Sequence, residues 1–280
     1  MMKRYKYFIT LFLLSAALFS CQEEVFLDLA SVEKKPVIEA FWTDNGAVNF
    51  VKISASKDYY DEEGNEVIEN AEVSITNVDS GLSVDFRFSP QSGRYLPSNN
   101  FGGIQGETYE LNVVIGESEY MSRGTLLPPP TLDSIRYEFK EERVFREEGY
   151  YLTVFGDIPF TDNNFYRIRL VRNDTLLNSR NDYLLFDDTF GTSILNRGFE
   201  LGGFPFREND RVRLELFRLN RNAYNYLNQV VSLLFNDGGL FSPPPQNPVS
   251  NIELVRGNTE ALGYFMVSPF LAATVIIEPD

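Results

Sequence analysis

Apolar and polar residues alternate with a period of two along much of this chain, and that period predicts strands. Ala71, Val73 and Ile75 are apolar while Glu72, Ser74 and Thr76 are polar, as in a strand with one face on a core and the other in water. Leu82, Val84, Phe86 and Phe88 repeat the pattern after a turn at Asp79-Ser80-Gly81, and Tyr109, Leu111, Val113 and Ile115 repeat it again. Weaker runs from Val37 to Trp42 and from Ala47 to Ile53 flank Asp44-Asn45-Gly46, a hairpin signal. Further along, Tyr166, Ile168 and Leu170 alternate with Arg167 and Arg169, and Val212, Leu214 and Leu216 with Arg211, Arg213 and Glu215. Final strands are expected at 261–267 and 271–277. Only from Asn222 to Asn236 does the period change. Ala223, Tyr226, Leu227, Val230, Val231 and Leu234 recur there at three- and four-residue steps, which predicts one amphipathic helix ended by Gly238-Gly239.

Many short strands separated by turn residues predict a mainly β protein. Pro128-Pro129-Pro130 stops a strand and stiffens the chain into an extended linker, so the expected boundary lies there. Residues 36–127 then form an immunoglobulin-like or prealbumin-like β-sandwich, and residues 128–131 form a Pro-rich linker. Residues 132–280 form a second β-rich domain with one helix at about 222–236. Gly93-Arg94-Tyr95 resembles the Gly-x-Tyr step of the prealbumin-like and carboxypeptidase-regulatory sandwiches.

The first residues carry a different message. Lys3, Arg4 and Lys6 precede an apolar run from Tyr7 to Phe19 and the small Ser20, the layout of a secretory leader. The run falls short of the ~20 residues a membrane-spanning helix needs, and an acidic segment stands after it in place of a basic stop-transfer flank. Leu18 and Ser20 place Cys21, the single cysteine, where a bacterial lipobox puts the residue that is acylated and becomes the mature N-terminus. Residues 1–20 are thus expected to be a lipoprotein signal peptide and residues 21–35 an acidic tether, with Cys21 holding the protein to outer-membrane lipid through its acyl chains. The competing reading is a small buried hydrophobe. Gln22, Glu23 and Glu24 resemble the signal that sends Bacteroidota lipoproteins to the outer face of the outer membrane.

Composition narrows the chemistry. Loss of the leader removes three of 25 basic residues and none of 40 acidic ones, so 22 minus 40 leaves a formal charge of -18, which disfavours nucleic acid as a partner. The absence of histidine removes Ser-His-Asp and Cys-His catalysis and the usual zinc sites. No cofactor motif is present: Gly102-Gly103-Ile104-Gln105-Gly106 reads as a turn. A pair of carboxylates could still hydrolyse glycosides, but the spacing of so many acids selects no pair. Asp58, Asp61 and Glu63, in an acidic stretch around Gly64, offer hard oxygen ligands for calcium, but their spacing fails the EF-hand pattern and a solvated hairpin tip is the favoured reading.

Two further groups are candidates for binding. Arg167, Arg169, Arg211 and Arg213 would share an outward face if their strands are neighbours, making a patch for an anion or an acidic partner; cross-strand pairing with Glu215 is the alternative. Phe241, Pro243, Pro244, Pro245 and Asn247 lie in a rigid apolar loop that either docks a partner or crosses the fold.

Several segments in order carry a family resemblance: Cys21 with its acidic followers, Pro-Val-Ile-Glu-Ala-Phe-Trp from Pro36, Asp58-Tyr59-Tyr60-Asp61 and Asn70-Ala71-Glu72-Val73. Leu126-Leu127-Pro128-Pro129-Pro130, Tyr224-Asn225-Tyr226-Leu227, Phe241 to Pro248 and Ala261-Leu262-Gly263-Tyr264-Phe265 continue it. The chain resembles an uncharacterised family of Bacteroidota outer-membrane lipoproteins, a domain of unknown function typically encoded beside TonB-dependent receptors. What the resemblance implies is a partner, a TonB-dependent transporter, and a place, the outer membrane; it carries over no catalytic residue.

Overall fold

A computed structural model describes residues 33–57, 64–203, 205–236 and 245–278. The first seven strands are β1 (Pro36–Thr43), β2 (Phe50–Ala55), β3 (Glu72–Asn77), β4 (Ser83–Ser89), β5 (Arg94–Pro97), β6 (Thr108–Ile115) and β7 (Ser118–Thr125). Next come β8 (Ser134–Lys140), β9 (Gly149–Phe155), β10 (Phe165–Arg172), β11 (Thr175–Leu176), β12 (Leu184–Asp187), β13 (Phe199–Glu200) and β14 (Arg211–Arg218). Helix α1 (Arg221–Leu234) separates these from β15 (Glu253–Arg256), β16 (Leu262–Ser268) and β17 (Phe270–Ile276). The protein is mainly β with a single α-helix among the described residues, as its periodicity predicts.

Nine strands form one sheet in the order β15-β7-β6-β3-β4-β5-β2-β1-β16. That sheet curls until residues from strands far apart in its order meet in one core: Trp42 and Ile53, Ile75 and Phe86, Tyr109 and Val113, and Phe265 from the far edge. Asn251 helps to join the two ends. Its backbone oxygen accepts from Ser122 Oγ on β7 at 2.6 Å, while its side-chain amide donates to Phe265 O at 2.9 Å and accepts from Phe265 N at 2.8 Å on β16, imitating a strand partner. A five-stranded sheet, β11-β10-β14-β17 with β12 also on β10, packs Ile168, Leu170, Leu214 and Leu216 against Leu152 and Val154 of a third sheet, β13-β9-β8. A third core lies between the nine-stranded sheet, the five-stranded sheet and α1. Phe41, Tyr264 and Met266 on the outer side of β1 and β16 meet Phe217 of β14 and Ala223 and Leu227 of α1.

The triple proline does not divide this molecule into two domains. β15 and β16 return to the first sheet, β16 pairing in parallel with β1 from Val37↔Leu262 to Thr43↔Ser268, and the described residues from Lys34 onward form one compact unit. Proline content reports only local stiffness, whereas strand pairing over more than two hundred residues depends on matched faces that no local signal announces. Gly263 makes the close parallel approach possible. Its φ is +106°, and a Cβ there would stand 2.0 Å from Ile38 O.

Local differences have local causes. At Asp44-Asn45-Gly46 the chain makes a 3-10 turn over Gly46–Val48, capped by the Asn45 side chain accepting from Ala47 N, so β2 begins at Phe50 instead of Ala47. Leu82 precedes β4 and is 60% exposed. Asn220 caps α1 by accepting from Ala223 N at 3.2 Å, and Ala223, Tyr226 and Leu227 are its buried face. Gly238 and Gly239 lie outside the described residues. No helix among the described residues is long and apolar enough to cross a membrane.

Candidate functional site

β10 and β14 are antiparallel neighbours, so the arginines that alternate along them do share a face. They do not form a free cationic patch. Arg169 donates Nε and Nη2 to Glu215 Oε2 at 2.9 and 2.6 Å, and Arg213 donates Nε to the other oxygen, Oε1, at 3.1 Å. Arg211 pairs with Asp174. The same face is covered in part by the third core: the Arg169 guanidinium lies 5.4 Å from the Phe41 ring centre and 4.7 Å from that of Phe217. Burial, with Glu215 pulling the other way, leaves the Arg169 guanidinium below its ordinary value. The cross-strand pairing with Glu215 that the sequence offered as an alternative is the arrangement found for Arg169, while Arg213 reaches the same carboxylate along its own strand.

Arg167 stands apart. It is 8% exposed, its Nη1 donates to Tyr264 Oη at 3.4 Å, and its plane faces the Tyr183 ring at 5.3 Å. Its Nε is sealed from solvent with no acceptor among the described residues. β10 holds its backbone, Tyr264 of β16 and Tyr183 just before β12 lie against it, and Tyr226 of α1 backs Tyr264. Tyr226 and Tyr264 stack at 5.0 Å. Burial raises both phenols above their ordinary value, with Glu39 adding to the rise and Arg167 lowering that of Tyr264. A donor-rich, acceptor-poor cluster of this kind recognises negative charge.

The other predicted site residues are dispersed. Cys21, Asp58, Asp61, Glu63, Phe241, Pro243 and Pro244 lie outside the described residues. Pro245 and Asn247 are exposed, and the segment they belong to runs beside α1, where Val249 N donates to Gln229 Oε1 at 3.1 Å. Past the acidic stretch, Glu66 pairs with Lys34 at 3.2 Å. Among the described residues no group of three or more acids or cysteines is placed to hold a metal ion.

Three further features are not announced as functional by the sequence. The hairpin between β8 and β9 presents Val144 and Phe145 at its tip, 90% and 100% exposed, closed by a bridge between Arg143 and Arg146. Beside it lies a recess of about 530 Å³ bordered by Glu142, Glu147, Tyr151 and Glu200, the last held by Lys140 at 2.6 Å. The run Arg-Val-Phe-Arg between paired glutamates breaks the period-two rhythm and is the one local signal that could have marked the tip. A polar groove of about 290 Å³ separates β6 and β7 from the start of α1, with Asn163, Asn220, Asn222, Arg123 and Arg221 along it. Finally, Arg218 ties the Pro-rich segment down: its three nitrogen groups donate to the carbonyls of Asn163, Pro128 and Asp162 at 3.2, 2.9 and 2.9 Å, over the Phe160 ring.

A curled nine-stranded sheet joined to a second β-layer, with one helix among the described residues and an exposed apolar hairpin, defines a mainly β protein. The sequence agrees with a known family: the one described as a domain of unknown function (DUF4249) matches residues 22–271, and the chain belongs to it. No curated protein matches the chain.

Proposed function

We propose that this protein is an outer-membrane lipoprotein, displayed on the cell surface through acylated Cys21, that acts as an accessory or substrate-capture partner of a TonB-dependent transporter. The observation that carries this reading is the order of a basic start, an apolar run, Leu18, Ser20 and Cys21, then Gln22-Glu23-Glu24. The Val144-Phe145 tip supports it, because two fully presented apolar side chains on a hairpin suit insertion into a partner's pocket. No catalytic role is proposed.

Purification of the full chain from its native outer membrane in mild detergent, with mass spectrometry of its N-terminus and of everything that accompanies it, tests the reading. An acylated Cys21 together with a near-stoichiometric TonB-dependent receptor is the expected result. An unmodified Cys21 would remove the anchor, and an acylated protein that arrives alone would remove the transporter. The second reading is a stand-alone adhesin or glycan-binding lipoprotein, favoured by the amides of Asn163, Asn220 and Asn222 along the polar groove. Binding on a glycan array that is lost in Asn222→Ala would put it first.

A further inference from the structure

Buried arginines elsewhere in this protein have their donors matched: Arg218 by three carbonyls and Arg169 by Glu215. Arg167 is as deeply placed and has one long bond to a phenol, an orphaned Nε and no carboxylate within ion-pair distance among the described residues. A buried cation left without an anion is costly, and a structure that retains one has a use for its charge.

The groups around it add donors and almost no acceptors. Tyr264 Oη already accepts from Arg167, so its own O–H remains free to donate. Tyr226 stacks on the Tyr264 ring at 5.0 Å and brings a second phenol O–H beside the first. The carboxylate whose field reaches both phenols, Glu39, is itself held by Lys52 at 3.3 Å. Tyr183, half-buried at the end of the short surface turn Arg180–Asp182, lies over the guanidinium as a cover.

We propose that Arg167, Tyr264 and Tyr226 form a receptor for a single anionic group, the carboxylate or phosphate of a small solute, admitted when Tyr183 moves off the guanidinium. The Nε edge of Arg167 offers the planar fork that both groups fit, and the two phenol protons complete the donor set. This site is independent of the membrane anchor and of any transporter, and it stands or falls by itself.

Thermal unfolding of the full chain in detergent, in sodium phosphate and in sodium acetate against sodium chloride at equal ionic strength and neutral pH, tests it. A saturable rise in Tm with phosphate, acetate or both is expected, and which salt acts tells phosphate from carboxylate. Arg167→Met should abolish the rise, and Tyr264→Phe should weaken the apparent affinity about tenfold, as loss of one charge-assisted hydrogen bond does. Arg94→Met, whose guanidinium lies over the Phe50 ring, should keep the rise in full. Should Arg167→Met fail to fold, Arg167→Lys retains the charge without the fork and should bind about tenfold more weakly. Absence of any anion-specific rise in the wild type, or an undiminished rise in the Arg167 variants, overturns the proposal.

Discussion

β4 and β14 are strands of similar length whose sequences alternate equally well, yet they occupy opposite environments. β4 has one face on the core and the other in water: Val84 and Phe86 are buried while Ser83, Asp85 and Arg87 are exposed. β14 is covered on both faces, Val212, Leu214 and Leu216 by the third sheet and Phe217 by β1 and α1, so Glu215 is 3% exposed. On β4 a polar residue is a solvated spacer. On β14 the same type of residue is a structural member, because a buried carboxylate survives only with its oxygens occupied, here by Arg169 and Arg213. A polar position in an alternating strand is therefore ambiguous until the layer above it is known.

The contrast can be broken at several depths. The largest effect is expected where the two halves join: Gly263→Val puts a branched side chain at φ +106° against Ile38 O, and its cost should reach about 4 kcal/mol or more, the top of the range for point substitutions. Loss of a cooperative denaturation transition would show it, and a stable, soluble variant would mean that β16 does not need its parallel register on β1. Next, Glu215→Ala should destabilise by roughly 3–5 kcal/mol in urea unfolding, since it strands two arginines beneath a covered face. Asp85→Ala on β4, the matched substitution in water, should change stability by less than about 0.5 kcal/mol. Equal effects of the two would refute the difference between the strands.

A finer comparison sets Arg167 against Arg169 on one strand. Arg169→Met should destabilise by about 3 kcal/mol or more, because it leaves Glu215 short of a partner, while Arg167→Met in anion-free buffer should leave stability unchanged or raise it. The smallest effect is a pH dependence. Burial pushes the phenols of Tyr166 and Tyr224 up to about 12 from the ordinary 10.0. A group raised on folding stabilises the native state fully below its unfolded value, so this contribution is complete below pH 10.0 and is lost as pH rises toward about 12. Stability measured from about pH 8 to 12 should fall only above about 10. A fall that began near pH 8 would point to other groups.

The same difference in covering decides which parts of the architecture are legible in advance. β3, β4 and β6 each have one wet face, so their alternation survives in the residue types, and α1 keeps its three- and four-residue steps because its outer side is solvated. The arginine face is legible as a face but not as a covered one. β10 reads the same whether Phe41 and Tyr264 lie over it or water does, and Tyr183 and Tyr264 come from separate segments that meet at Arg167. The Val144-Phe145 tip is hard to find from residue types because β9 does not alternate, Tyr150 and Tyr151 both being buried, and because β8, which does alternate, leaves Phe139 exposed.

The sequence by itself determined the β class, the helix that becomes α1, the turns at Gly81 and near Asn45, and the order of residues around Cys21 that motivates a lipid anchor. Each of these depends on interactions within a few residues, where side-chain type and backbone preference act directly. Only the tertiary structure decided that the triple proline is no domain boundary, that β16 pairs with β1, and that Arg167 is buried without a counter-charge while Arg169 two residues on has one. These outcomes depend on which faces end up opposed across long stretches of chain, and the free energy of burying a face depends on its partner as much as on its own residues.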